Sequence, residues 1–220
     1  MPTIAIVGAG PLLGLSVARL FGREGFRVVL IARSRANLDR LVAELAAEDV
    51  RAEGFTGDVT DESSMRRAFD QAGPVDVLHF SPVSKTLNIG SGVVGALDVS
   101  PENVQRQLDV QLHGAITSVQ QVLPGMLGRG TGTLLFTTAY AAVQPMDAVA
   151  NFGIAGAALR YYAATLHSAL AGKGVHVAHV SVAAYLNTGP GTEPDTVARV
   201  YWDAYTRRDQ AEITYFAPES

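Results

Sequence analysis

The chain has 220 residues, enough for one well-packed domain, and 48% of them are hydrophobic against 17% charged, which excludes a disordered tail. A formal charge of −4 without any run of Lys and Arg leaves no basic surface for nucleic acid. The absence of cysteine excludes a disulfide framework, a thiolate nucleophile and a Cys-based zinc site.

Met1-Pro2-Thr3 runs directly into a short apolar segment with no basic leader, and that segment stops at glycines. It falls far below the roughly 20 residues of a membrane span. The expectation is a soluble cytoplasmic protein with no membrane or nucleic-acid partner and no metal. In chain order, Thr3–Val7, Arg27–Ala32, Arg51–Phe55, Val75–Phe80, Thr133–Thr137 and Val175–Ser181 read as strands. They are rich in Val, Ile, Leu and Phe with little polar alternation, as strands covered on both faces require. The intervening segments Leu12–Glu24, Ala36–Glu48, Glu62–Ala72, Pro101–Leu123 and Asp147–Ala171 have helical spacing. Ser100-Pro101 is a cap followed by a first-turn proline, and Gly172 and Gly174 mark a helix end. A helix near Asp195–Arg208 and a strand near Glu212–Phe216 close the chain. This alternation predicts a Rossmann-type α/β fold, a doubly wound parallel sheet of about seven strands with right-handed crossovers. Without repeats or linkers, residues 1–220 read as a single domain.

The first strand delivers Gly8-Ala9-Gly10-Pro11-Leu12-Leu13-Gly14 straight into a helix. Glycines there let the backbone turn and approach a pyrophosphate, whose charge then sits at the helix N-terminus. A tight turn alone would also use glycine, but the strand–loop–helix context points to a dinucleotide site formed by Gly8, Gly10, Leu12, Leu13 and Gly14. The second strand ends at Ile31-Ala32-Arg33-Ser34. An NAD site places a carboxylate about 20 residues past the glycines to take the ribose hydroxyls. Arg33 stands there instead, with Ser34 and Arg35 beside it, and a guanidinium fork suits a 2′-phosphate. A solvated arginine at a strand end is the plain alternative; the missing carboxylate favours NADP(H) over NAD(H). Asp58-Val59, after the third strand, would lie at the adenine edge or form a simple turn.

With these motifs in order, the chain resembles the short-chain dehydrogenase/reductase family over essentially its whole length. Val110-Gln111-Leu112-His113-Gly114 matches that family's segment after the fourth strand. Thr188 falls where the family has a threonine close to the nicotinamide carboxamide. The glycine loop departs from the family pattern, because Leu12 replaces the middle glycine and Gly10 adds one earlier. The resemblance implies a working site of Asn, Ser, Tyr and Lys. The tyrosine exchanges the substrate proton, the lysine lowers its pKa, the serine holds the carbonyl and the asparagine organises a water. Those four positions hold Gln111, Ala139, Phe152 and Gly156. Both lysines, Lys85 and Lys173, follow non-tyrosine residues by four positions (Ser81 and Ala169), so no Tyr-x-x-x-Lys exists anywhere in the chain. The family's Asn-Asn-Ala-Gly has become Phe80-Ser81-Pro82-Val83, and its Pro-Gly after the sixth strand has become Ala183-Ala184.

Thr138, Tyr140 and His113 are the remaining candidates for chemistry. Each also has a structural reading: a strand-end hydrogen bond, packing over a loop, and a surface position. His79 reads as a satisfied core histidine, and Tyr161 and Tyr162 as packing or interface residues. Gly153-Ile154-Ala155-Gly156-Ala157-Ala158 forms a small-residue face open to close approach by another surface or the cofactor. Family members commonly dimerise through these helices, so the resemblance implies a homodimer or homotetramer. The segment from Tyr185 to Asp195, with Gly189-Pro190-Gly191, reads as a loop without a long lid. Three functions stand open: an NADP(H)-dependent oxidoreductase acting on a small carbonyl or imine, an inactive NADP(H)-binding regulator or partner protein, and a scaffold in which Leu12 closes the nucleotide site.

Overall fold

A computed structural model describes residues 1–82 and 92–217. β1 (Thr3–Val7), α1 (Leu13–Arg23), β2 (Arg27–Ala32), α2 (Arg35–Ala46), β3 (Ala52–Thr56), α3 (Glu62–Ala72) and β4 (Val77–Phe80) form the first half. α4 (Pro101–Leu108), α5 (Gly114–Arg129), β5 (Gly132–Ala139), α6 (Ala150–Leu170), β6 (Val175–Ala183), α7 (Pro194–Arg207) and β7 (Glu212–Phe216) form the second. The strands make one sheet in the order β3-β2-β1-β4-β5-β6-β7. Every pairing is parallel. This is the doubly wound Rossmann-type arrangement, and Val83 and Lys85 fall outside its described residues.

Each central strand faces two cores because its side chains alternate between two helical layers. Ile4, Ile6, Val28, Leu30, Leu135 and Val180 pack on one face with Phe21 of α1, Leu41 of α2 and Tyr201 of α7. Ala5, Val7, Val29, Ile31, Leu134 and Phe136 pack on the other with Met65 of α3, Val119 of α5 and Leu159 of α6. Full burial of such side chains contributes about 1.5–3 kcal/mol each. Local signals set the helix starts. The Ser34 hydroxyl accepts from Asn37 N–H (3.2 Å), and Asp61 accepts from Ser64 N–H (3.1 Å). Ser100 and Asn103 form a reciprocal capping box with Pro101 in the first turn.

The segment expected as one helix over Pro101–Leu123 is interrupted and runs further. A π turn over Asp109–His113 separates α4 from α5, with Gly114 N–H reaching back five residues to the Asp109 carbonyl. α5 then continues through Pro124 to Arg129. The proline leaves the carbonyl of Gln120 without its helical donor, and Gln120 is exposed to water, which satisfies it. β5 and β6 also run past their apolar stretches, to Ala139 and Ala183, because pairing between them and with β7 continues there. Among the described residues no helix is long and apolar enough to cross a membrane.

Candidate active site

Between β1 and β4 the strand order reverses, so the chain leaves the two strands in opposite directions and opens a crevice at their carboxyl ends. Gly8 lies in that crevice at φ +85°, and a Cβ there would stand 2.5 Å from Pro82 Cα. Only glycine satisfies both the left-handed backbone and the contact. Gly14 allows α1 to close on the loop, since a Cβ on it would lie 3.2 Å from Ala9 Cα, whereas a Cβ on Gly10 would make only ordinary contact with the Gly8 carbonyl oxygen (3.9 Å). Leu15 N–H bonds the Gly10 carbonyl (3.0 Å) and Ser16 N–H the Leu12 carbonyl (3.1 Å). Among the described residues no side chain caps α1, and the N–H groups of Leu13 and Gly14 have no protein acceptor. These groups and the helix dipole form a cradle for an anion. Leu12 sits at the N-cap, 41% exposed, and so is not part of the core.

At the end of β2, Arg33 is exposed and makes no ion pair among the described residues. Arg35, in contrast, is held by Asp39 and by the Gly54 carbonyl (2.8 Å). The Ser34 hydroxyl oxygen accepts one bond at the α2 cap, which leaves its hydrogen free to donate. Asn37 of α2 reaches back to the Ala9 carbonyl (3.3 Å), joining this region to the glycine loop. Asp58 forms a small turn, one carboxylate oxygen accepting from Thr60 N–H (3.0 Å) and its hydroxyl (2.8 Å). Val59 packs against the core beneath α5, where a Cβ on Gly114 would approach its own Cβ to 2.8 Å. Thr188 donates its hydroxyl to the Tyr185 carbonyl (2.6 Å). Its loop is pinned by Thr192, a buried residue with no counterpart in the sequence reading. The Thr192 oxygen accepts from Thr188 N–H and Gly189 N–H (both 2.9 Å) and donates to the Gly189 carbonyl (2.6 Å).

Further along the same edge, Gln111, Phe152 and Gly156 come together. The Gln111 amide donates to the Phe152 carbonyl (3.4 Å), and its Oε1 lies 3.4 Å from the point a Cβ on Gly156 would occupy. That same point is 3.0 Å from Ala142 Cβ, and a Cβ on Gly153 would fall 2.9 Å from the Ala141 carbonyl oxygen. The small-residue face of α6 is therefore covered by this chain's own turn, Tyr140–Ala142. Ala139 ends β5 immediately before that turn.

The other candidates are dispersed. Thr138 is buried, with its hydroxyl 2.8 Å from His179 Nε2. Burial lowers the His179 pKa to about 4, so the pair is neutral at physiological pH. Tyr140 packs edge-on against Phe216 at 5.3 Å. His113 is exposed on the π turn, 3.0 Å from Asp109. Tyr161 is 73% exposed, while Tyr162 packs on Phe136. His79 is only half satisfied. Its Nε2 meets the Thr137 hydroxyl (3.2 Å), which also meets Tyr201 OH (2.8 Å), while Nδ1 has no partner among the described residues.

Sequence reasoning passed over Asn151, one residue before Phe152. Its fully buried amide accepts from Val94 N–H (2.9 Å) and donates to the carbonyls of Gly92 (2.7 Å) and Asn103 (3.3 Å). It thereby fixes the segment leading into α4 against the start of α6. A polar residue on an otherwise apolar helix stretch was the available signal.

Comparison with known proteins agrees with this geometry. The family pattern described as short chain dehydrogenase matches residues 2–192. Over 128 residues the chain is 32% identical to the 3-dehydrosphinganine reductase TSC10A of Arabidopsis thaliana, covering 56% of this chain but 36% of that protein. Over 207 residues it is 26% identical to Dehydrogenase/reductase SDR family member 4 of Bos taurus, covering 92% of this chain and 70% of that one. The solved structure of a short-chain dehydrogenase from Rhodopseudomonas palustris superimposes with a TM-score of 0.84 at 26% identity, over 99% of both chains.

Proposed function

This chain belongs to the short chain dehydrogenase family of NAD(P)-using oxidoreductases, and on that premise we propose that it is an NADP(H)-binding oxidoreductase with an atypical active site. Residues 1–220 form one dinucleotide-binding domain in this reading, acting on a small carbonyl or imine. The observation that carries it is the open N-terminus of α1 beside the Gly8 turn, together with the exposed Arg33 at the end of β2, which makes no ion pair among the described residues.

In this reading the N–H groups of Leu13 and Gly14 hold the pyrophosphate, with Gly8, Gly10 and Leu12 shaping the approach. Arg33 and the free hydroxyl hydrogen of Ser34 hold the 2′-phosphate. Asp58 and Val59 border the adenine. The Thr188 oxygen, whose hydrogen is given to Tyr185, accepts from the carboxamide N–H. When bound, the dinucleotide supplies a hydride; the protein supplies orientation and exclusion of water. The outer face of α6, with Ile154 46% and Tyr161 73% exposed, supports a homodimer or homotetramer.

Calorimetric titration of NADPH and NADH tests this reading. Tight NADPH binding with weak NADH binding, the preference being lost in Arg33→Ala, is expected. Binding of neither nucleotide would mean that Leu12 closes the site.

One set of observations favours a second reading, an inactive NADP(H)-binding regulator or partner. All four family positions have lost their chemistry, and a Cβ on Gly156 would already press on Ala142 Cβ at 3.0 Å. Reproducible NADPH consumption with a defined product, abolished by changing Gly14 or Arg33, eliminates that reading.

A further inference from the structure

We infer that the substrate of this site is already a cation when it binds: a protonated or N-alkylated imine, reduced to an amine without any proton from the protein. The inference rests on the NADP(H) reading above and goes beyond it by choosing between carbonyl and imine.

The first support is the systematic loss of donors where hydride would be delivered. A carbonyl that accepts hydride becomes an alkoxide and needs a proton, and a positioned acid contributes about 10²- to 10⁴-fold to that step. Ala139, Phe152 and Gly156 carry neither a donor nor a charge. Of the two hydroxyls flanking Ala139 in the chain, that of Thr138 lies in the buried layer on His179, and Tyr140 packs its ring against Phe216. A Cβ on Gly156 would stand 3.0 Å from Ala142 Cβ, so any side chain at this position requires Ala142 to give way slightly. An iminium carbon needs none of this. It takes hydride from NADPH to form the new C–H bond, the C=N π pair becomes the nitrogen lone pair, and NADP⁺ and a neutral amine result.

The second support is charge. A lysine at 156 would repel a cationic substrate, and here that position holds glycine. Residues 92–113 and 140–152, which pack around the start of α6, carry Asp98, Glu102, Asp109 and Asp147 against a single Arg106. Arg106 is itself paired with Glu102. The two segments are joined by Ala150 N–H to the Val94 carbonyl (2.9 Å), and Asp109 lies 3.0 Å from His113, so these segments carry a net negative charge next to the start of α6. At the carboxyl ends of the strands, Tyr140 and Phe216 meet edge to face at 5.3 Å with Phe216 58% exposed, and an exposed aromatic face attracts a cation.

The test uses three probes of one shape: 3,4-dihydroisoquinoline, its N-methyl iminium salt, and 1-tetralone as the neutral ketone. NADPH binding is measured first by calorimetry, and its absence overturns the cofactor reading and this one together. With binding established, NADPH oxidation is followed from pH 6 to 9 against enzyme-free controls. The N-methyl iminium should be reduced at a rate independent of pH, because no proton enters the step. The rate for the parent imine should fall as pH rises through the substrate's own pKa. The ketone should react at least about 100-fold more slowly than the iminium, the lower end of what a missing acid removes.

A second readout needs no turnover. Titrated into the protein with NADP⁺, where no hydride is available, the N-methyl iminium should bind more tightly than 1-tetralone. Asp109→Asn with Asp147→Asn should erode that preference about fivefold at low salt, with little effect at high salt. Equal reduction of ketone and iminium, no reduction above the enzyme-free rate, or no preference for the cation in binding would each overturn the inference while leaving the cofactor reading intact.

Discussion

Gly8 and Gly156 carry opposite lessons at the scale of single residues. Gly8 is constrained from two sides, by its φ of +85° and by Pro82 at 2.5 Å from any Cβ. Gly8→Ala should lower stability by about 2–4 kcal/mol, the sum of a left-handed penalty and overpacking, and abolish dinucleotide binding. Denaturant unfolding and NADPH calorimetry check the two parts. Gly156 is constrained by neighbours alone. Gly156→Lys should cost about 1–3 kcal/mol by pushing on Ala142 and Gln111. Phe152→Tyr combined with Gly156→Lys should therefore fail to restore carbonyl reduction, and recovery of ketone turnover in the double variant would contradict the packing argument. The identities at 139, 152 and 156 were legible from spacing along the chain. That a side chain at 156 would press on Ala142 of the Tyr140–Ala142 turn was not, because it depends on how closely two distant segments approach.

Elements were legible where local chemistry and burial agree. β1, β2, α3 and β7 have the bounds that apolar pattern and caps indicate, since no tertiary pairing extends or trims them. The stretch from Pro101 to Arg129 defeated the same reasoning twice. Pro124 reads as a stop, yet the carbonyl it leaves without a helical donor belongs to Gln120, an exposed residue on the wet side of the helix. The π turn at Asp109–His113 contains no Gly or Pro, so no sequence signal announces the extra residue that shifts Gln111 onto Phe152. Asn151 belongs at this scale as well, because it joins three segments. Asn151→Ala would leave the half-buried Val94 N–H without its partner, at about 1 kcal/mol, while the exposed Gly92 carbonyl keeps the Gln107 amide (3.4 Å). Amide exchange should accelerate at Val94 far more than at Ile6 in the sheet centre. Equal acceleration at both would mean that Asn151 supports the whole fold and not this one junction.

The loss of whole-molecule stability in mild acid is set by histidines that sit neutral between the sheet and its helices. Burial lowers His79 to about 3 and His179 to about 4, against 6.5 for the free side chain. Below pH 6.5 the unfolded chain therefore binds protons that the folded chain refuses, and stability falls with falling pH. The loss starts near pH 6.5 and levels off for each group only near its folded value. At pH 5 it amounts to about 2 kcal/mol per histidine, a large share of a typical 5–15 kcal/mol. The ion-paired carboxylates act later, because Glu48 and Glu212, held below the usual range by Arg19 and Arg160, yield their share only as pH falls through still lower values. His79→Leu separates the two contributions. Thr137 keeps Tyr201 as its partner at 2.8 Å, and the orphaned Nδ1 is removed, so stability at pH 7 should change by less than about 1.5 kcal/mol. At pH 5 the variant should gain about 2 kcal/mol relative to the parent, because it no longer releases a proton-binding site on unfolding. Urea unfolding of both proteins at the two pH values decides the matter: parallel losses between pH 7 and pH 5 would show that His79 takes up its proton without unfolding, and that the core beneath the candidate site is open to water.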